Sequence, residues 1–348
     1  MGIDRKKIRV LHYGIGHDHS AQFLECIKHF SEVFELVGVC EPNEEMKKNF
    51  AHLPAYNGVR WLSEEEAFAM TDIDAAIVEA YDLDLVRYAQ KCADKGWHIH
   101  MDKAAGTDLP AFKKLLQTVK EKRLVFQTGY MFRYNPFVKQ AKVLAQSGEL
   151  GEIYHIDAFM NTYFHKEKRE WLSKLLGGDM LYLGCHMIDL IYYFWGVPKR
   201  IIPFNKATGR DGLHLTDNAC AVFEYEKGVA LVRASAVEVN GFGRRQFVVC
   251  GEKATVEINP LEGPPSARVC TVDKMNARPY AIYNDCAEER VATGFQNKDR
   301  YEEMMLDFVS YIRGEKQNPF TLDYEYQLQK MILASCGETV DYSAEENI

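Results

Sequence analysis

The chain has 348 residues, 47% apolar and 26% charged, with 42 basic against 50 acidic side chains and a formal net charge of −8. Such a balance belongs to an ordinary folded protein with room for two domains of about 150 residues each. Its negative field disfavours nucleic acid and anionic lipid, and no apolar run approaches the roughly 20 residues that cross a bilayer.

The opening MGIDRKKIRVLHYG is charged and lacks an apolar core, so no signal peptide is read there. Nine scattered cysteines, Cys286 among them, an odd number with no C-x-x-C pair, read mostly as small core residues in a reducing compartment. The expected location is the cytoplasm.

Strands are predicted at Ile8–Tyr13, Phe34–Cys40, Ile73–Glu79, Trp97–Met101 and Val125–Thr128, rich in branched and aromatic side chains. Helices are predicted at Ala21–Phe30, Glu44–Leu53, Leu83–Lys95 and Pro110–Lys122. Ser63 precedes EEEAFAM as an N-cap, Asp82 or Asp84 precedes the next helix, and Gly96 ends it. This alternation implies a doubly wound parallel sheet, covered on both faces by helices.

Beyond Thr128 the pattern changes. A helix (Phe137–Gln146), a strand (Ile153–Phe159), a polar-aromatic loop at 161–176 and an apolar helix at 178–195 are predicted in turn. From Ala219 onward, short alternating strands joined by glycine turns read as an antiparallel meander. The stretch 260–298 reads as loop, and helices at Tyr301–Arg313 and Tyr324–Gly337 close the chain. The expected architecture is α/β: a doubly wound domain over 1–128 and an α+β domain with a large open, mostly antiparallel sheet over 129–321. The segment 322–348 is expected to pack back on the first domain.

Two clusters carry chemistry. Gly14-Ile15-Gly16-His17-Asp18-His19 follows the first strand and opens the first helix. Gly14 permits a tight turn, and Gly16 lets backbone approach a pyrophosphate at the helix N-terminus; His19 stands where G-x-G-x-x-G has its third glycine. Glu41, at the end of the second strand, is placed to accept both ribose hydroxyls of NAD and to repel the 2′-phosphate of NADP. Lys103 follows the fourth strand, so its ammonium should enter the crevice at the carboxyl ends of the sheet. In the second cluster, Asp179, Tyr182, His186 and Asp189 recur along an otherwise apolar helix. At 100° per residue they fall within an arc of about 80°. His98 and His100 share a strand face without a third ligand at useful spacing, so no metal site is read.

The blocks GIGHDHS, DKAAG, GYMFRYNP and GGDMLYLGCHMIDLIYYFWG together resemble the glucose–fructose oxidoreductase, inositol dehydrogenase and rhizopine catabolism (Gfo/Idh/MocA) family. The resemblance implies a Rossmann domain, an α/β partner domain whose open sheet makes homodimers or homotetramers, and NAD(P) as cofactor. It places the catalytic lysine at Lys103 and the catalytic histidine at His186, with Tyr182 as acid–base partner or hydroxyl contact. Cofactor contacts are expected at Gly14, Gly16, His17, Asp18, His19, Glu41, Glu79, Ala80, Tyr81, Asp102 and Lys103. Substrate contacts are expected at Arg133, Asn135, His165, Lys166, Trp171 and Asp189, the last orienting His186 or pairing with Lys103. Ala104 replaces the family's proline, Tyr182 a frequent aspartate, and Glu79-Ala80-Tyr81 a T-P-N-like turn. The activity implied is hydride transfer between nicotinamide and a secondary hydroxyl of a sugar, inositol or related polyol. A redox-neutral lyase or glycosidase with tightly held NAD, and a non-catalytic NAD or sugar sensor, are the alternatives.

Overall fold

The computed structural model describes residues 6–275, 290–343 and 348, and these divide into two compact units. The first comprises the described residues up to Tyr130, with Tyr301–Gln329 and Ile348. The second comprises those of Met131–Arg300 and of Lys330–Glu345.

In the first unit, strands β1 (Ile8–Tyr13), β2 (Phe34–Cys40), β3 (Ala75–Val78), β4 (His98–Met101) and β5 (Phe126–Thr128) form a sheet ordered β2-β1-β3-β4-β5. Every neighbouring pair is parallel. All four residues of β3 are buried, as expected for a strand covered on both faces. Helices α1 (Ser20–His29), α2 (Glu44–Phe50), α3 (Glu64–Ala69), α4 (Leu85–Lys95) and α5 (Leu109–Glu121) lie between the strands in sequence. Local chemistry sets several boundaries. Ser63 and Glu66 close a reciprocal capping box on α3, Asn43 caps α2, Asp108 caps α5, and Gly96 ends α4 at φ +84°.

In the second unit, α6 (Pro136–Gln146) leads into β6 (Ile153–Asn161), then α7 (Lys166–Leu172) and α8 (Cys185–Trp195). Strands β7 (Arg200–Pro203), β8 (Asn218–Glu224), β9 (Val229–Ser235), β10 (Gln246–Gly251), β11 (Ala254–Ile258), β12 (Ser266–Thr271) and β13 (Val291–Ala292) follow. The sheet order is β13-β12-β11-β10-β6-β9-β8-β7. It is antiparallel except where β6 lies parallel to β9. Buried and half-buried residues alternate along β8, β10 and β11, so one face is packed and the other partly solvated.

The expected fold class is therefore present, with local corrections. The stretch 161–176 contains α7, and 260–298 contains β12, β13 and the start of α9 (Asn297–Ile312). Residues 276–289, including Cys286, lie outside the described set, as do 1–5 and 344–347. The strands after Ala219 are not a simple meander, because β6 enters between β9 and β10. Residues 301–321 fall in the first unit, whereas α10 (Leu322–Cys336) starts in the first and ends in the second. Among the described residues, no helix is long and apolar enough to cross a membrane.

Candidate active site

The turn after β1 is pressed onto the chain leaving β3. Gly14 has φ +89°, and a Cβ there would stand 2.6 Å from the Ala80 backbone; one on Gly16 would stand 2.8 Å from Tyr81 N. Both glycines are thus required by the chain's own packing. Glu41, buried at the end of β2, holds the turn: its carboxylate accepts from Ile15 N at 2.6 Å, from Asn43 N at 2.8 Å and from the Tyr88 hydroxyl at 3.3 Å. Burial raises its pKa, against those hydrogen bonds. The N-cap of α1, His19, makes no side-chain capping bond. A close-approach glycine turn, a helix N-terminus without a side-chain cap and an acid at the β2 end fit a dinucleotide.

Behind this turn lies a buried polar nest. Asp102 and Lys103 follow β4, and both are buried. The peptide joining Lys103 to Ala104 is cis. Asp102 Oδ1 accepts from Lys103 N at 2.7 Å. Its other oxygen lies 2.7 Å from His17 Nδ1 and 2.9 Å from His19 Nδ1. Burial works to raise the Asp102 carboxyl, but the two imidazoles overcome it and hold it well below the usual carboxylate range. Burial pushes His19 down to about 4, against the pull of Asp102, and the Lys103 ammonium is near enough to push the same way. Glu79, fully buried just past β3, is raised well above its ordinary value by burial first and by the Asp102 charge second. Behind the turn, His12 Nε2 meets Ser20 Oγ at 2.8 Å and Ser20 Oγ meets the Tyr56 hydroxyl at 2.7 Å. Burial lowers His12 to about 3, so it is a neutral structural histidine. His98 Nδ1 accepts from the Val125 N–H and His100 Nδ1 meets Gln127, while His100 Nε2 lies 3.9 Å from Glu79 Oε1 without a hydrogen bond.

In the second unit, Tyr182 and His186 are buried on one continuous helical run. Met180–Gly184 form a π turn, so the stripe from Asp179 to Asp189 does not follow a single 100° period. No sequence period announces such a turn, although it marks functional helices repeatedly. The His186 ring meets Phe132 edge-on at 5.1 Å. Tyr182 packs edge-on against Trp171 at 5.4 Å, and the Lys168 ammonium stands 3.6 Å from the Trp171 ring centre and 4.6 Å from that of Tyr182. Lys168 is absent from the sequence-based set; its i,i+3 spacing to Trp171 was the available signal, masked by reading the segment as loop.

Several expected substrate contacts have other roles. Arg133 and Asp189 form a buried bidentate pair at 2.7–3.1 Å, so Asp189 is matched to Arg133 within its own unit. Asn135 caps α6 and donates to Leu261 O. Lys166 is exposed and pairs with Glu170 one turn on; His165 is exposed at the N-cap of α7. Trp171 and Tyr182 remain together, while Lys103 belongs to the first unit and His186 to the second.

Residues 138–257 match the family model of the GFO/IDH/MocA C-terminal domain. The chain is 22% identical over 258 residues to the oxidoreductase YrbE of Bacillus subtilis, covering 72% of this chain and 71% of that one. It is 21% identical over 243 residues to scyllo-inositol 2-dehydrogenase (NADP(+)) IolW of the same organism, 69% and 65% covered. In fold it is similar to KijD10, a 3-ketoreductase from Actinomadura kijaniata crystallised with NADP and TDP-benzene. That likeness has a TM-score of 0.76 at 15% identity, with 94% and 97% of the chains covered. Relatives of the chain are named oxidoreductases and dehydrogenases.

Proposed function

We propose, for a chain whose residues 138–257 match the GFO/IDH/MocA C-terminal domain model, an NAD-dependent oxidation of a secondary hydroxyl on a sugar, inositol or related polyol. The observation that carries this reading is Lys103, a lysine buried at the carboxyl end of β4 beside the glycine turn, where doubly wound sheets bind ligands. A buried amine is costly unless it is paired, and the Lys103 ammonium stands near enough to Glu79 to act on that carboxyl.

The nicotinamide, when bound, supplies the hydride acceptor. The turn Gly14–His19 and the α1 N-terminus would hold its pyrophosphate, with Asp18, Glu79, Ala80, Tyr81 and Asp102 around them, and Glu41 the ribose. Lys103 donates a hydrogen bond to the reacting oxygen and stabilises alkoxide charge there. His186 takes the hydroxyl proton, and Tyr182, one turn earlier on the same buried run, passes it on or binds the neighbouring hydroxyl. Trp171 offers an aromatic face and Lys168 a cation to a polyhydroxy substrate. Glu41 disfavours a 2′-phosphate, although IolW is named for NADP(+). Glu41→Ser should therefore lower the ratio of kcat/KM with NAD to that with NADP.

Self-association fits the eight-stranded sheet, whose half-buried face carries Cys220, Val222, Leu231 and Val248. A cytoplasmic location fits the free cysteines. The decisive assay screens sugars, inositols and sugar acids with both cofactors, following the near-ultraviolet band of reduced nicotinamide. Net NADH release supports the dehydrogenase. Substrate turnover with bound NAD unchanged in sum would replace it with the redox-neutral reading.

A further inference from the structure

We propose that His17, His19 and Asp102 form a binding site for one first-row divalent metal ion, with Glu79 as the fourth ligand. His17 Nδ1 and His19 Nδ1 both converge on Asp102 Oδ2, at 2.7 and 2.9 Å, and the three donor atoms lie within 4.8 Å of one another. The side chains of His17, Glu79 and Asp102 are fully buried, and that of His19 is 15% exposed. The site lies where the β1–α1 turn meets the ends of β3 and β4, at the point where the strand order 2-1-3 reverses direction.

Hydrogen bonding by itself leaves Glu79 and His17 Nε2 in this cluster unsatisfied. In the tautomer in which His17 Nδ1 carries no proton, its lone pair faces Asp102 Oδ2 across 2.7 Å. In that tautomer the nitrogen and the oxygen are two ligand atoms that a single cation can hold. Neither oxygen of Glu79 makes a hydrogen bond, although the group is wholly buried; Oε2 lies 4.0 Å from His17 Nδ1. A buried acid without such bonds is costly to ionise, and a bound dication would offset that cost.

The outer shell fits as well. His17 Nε2 has no hydrogen-bond partner and lies 3.8 Å from Asp82 Oδ1. A metal-bound imidazole characteristically directs its second nitrogen at a carboxylate. With metal–ligand bonds of about 2.0–2.2 Å, tetrahedral donors stand roughly 3.4 Å apart, so loading requires the His17 and His19 rings to back off Asp102 by about 0.7 and 0.5 Å. Two imidazoles and two carboxylates select a zinc-like ion over magnesium or calcium. Four protein ligands make a closed site, one that ties the glycine turn to two strand ends.

The test uses tag-free full-length protein, stripped with chelator and dialysed, without nicotinamide or substrate, so that its outcome is independent of the proposed activity. Cobalt(II) should bind one equivalent per chain and give a visible d–d spectrum, and zinc should displace it while magnesium does not. His19→Ala should weaken zinc binding by more than the roughly 10–100-fold that outer-shell changes cost, and Asp82→Asn by an amount within that range. Zinc should raise Tm in the native chain and not in His19→Ala. Asp102→Asn should abolish zinc uptake; should it fail to fold, His19→Ala, altered at the edge of the site, still decides. No saturable uptake, preference for magnesium, or equal zinc affinity in native protein and His19→Ala would overturn the proposal.

Discussion

The two units treat buried charge differently. In the second, several carboxylates are matched to arginines. Asp189 lies bidentate on Arg133, Glu262 is held between Arg245 and Arg300, and Arg169 faces Asp211 and Asp217. In the first, Glu79, Asp102 and Lys103 are buried with His17 and His19, and Glu79 and His17 carry atoms without hydrogen bonds. Matched pairs offset the desolvation of their own ions and specify packing. A crowd of imidazoles, carboxylates and one amine at the end of a parallel sheet costs stability, and such costs are retained where a ligand is handled. The contrast assigns the first unit's polar interior to chemistry and the second's ion pairs to architecture.

Substitutions can break that contrast. Lys103→Ala should cut kcat by about 100-fold or more, as loss of an oxyanion donor does, with Tm and nucleotide affinity nearly unchanged. Steady-state kinetics beside a nucleotide titration checks this, and equal losses in turnover and affinity would make Lys103 structural. Asp189→Asn should do the reverse, since it strands the Arg133 guanidinium. A stability loss of about 3–5 kcal/mol is expected in denaturant unfolding.

The pH response sharpens the same comparison. His12 is lowered by burial to about 3 and His98 is lowered by burial as well, both in the first unit. A histidine whose folded pKa is depressed contributes stability that is present above its unfolded value near 6.5. That contribution is lost as pH falls below it, because the unfolded chain takes up the proton first. Tm should therefore decline from about pH 6.5 downward, and His12→Gln should make the decline shallower. The smallest effect is expected at a boundary remote from either site. Ser63→Ala removes one half of the α3 capping box and should cost about 1 kcal/mol, read by the same unfolding curves.

Much of the fold was legible because local rules and tertiary packing agree. Strands β1 and β2 fall where the apolar runs lie, and Gly96 ends α4 because only a residue at ease with positive φ suits that position. Helix α7 was not legible: KEKREWL has no continuous apolar stripe, and Arg169 is buried through its carboxylate partners. The site was legible in its members and not in its grouping. Lys103, Tyr182 and Trp171 stand out by position or residue type, whereas Asn135 resembles a polar ligand contact and is a helix cap. The convergence of His17 and His19 on Asp102 left no trace in spacing, since about eighty residues separate them.

Period, turn chemistry and residue type by themselves determined the doubly wound sheet, the glycine turn, the lysine beyond the fourth strand and the buried polar helix. Each depends on neighbours a few residues away. Tertiary structure alone decided which charge meets which. It gave Asp189 to Arg133, inserted β6 beside β9, turned one π loop into the polar helix and gathered two imidazoles on one carboxylate. Pairings of that kind balance desolvation against contact between distant segments, and that balance exists only once the chain has folded.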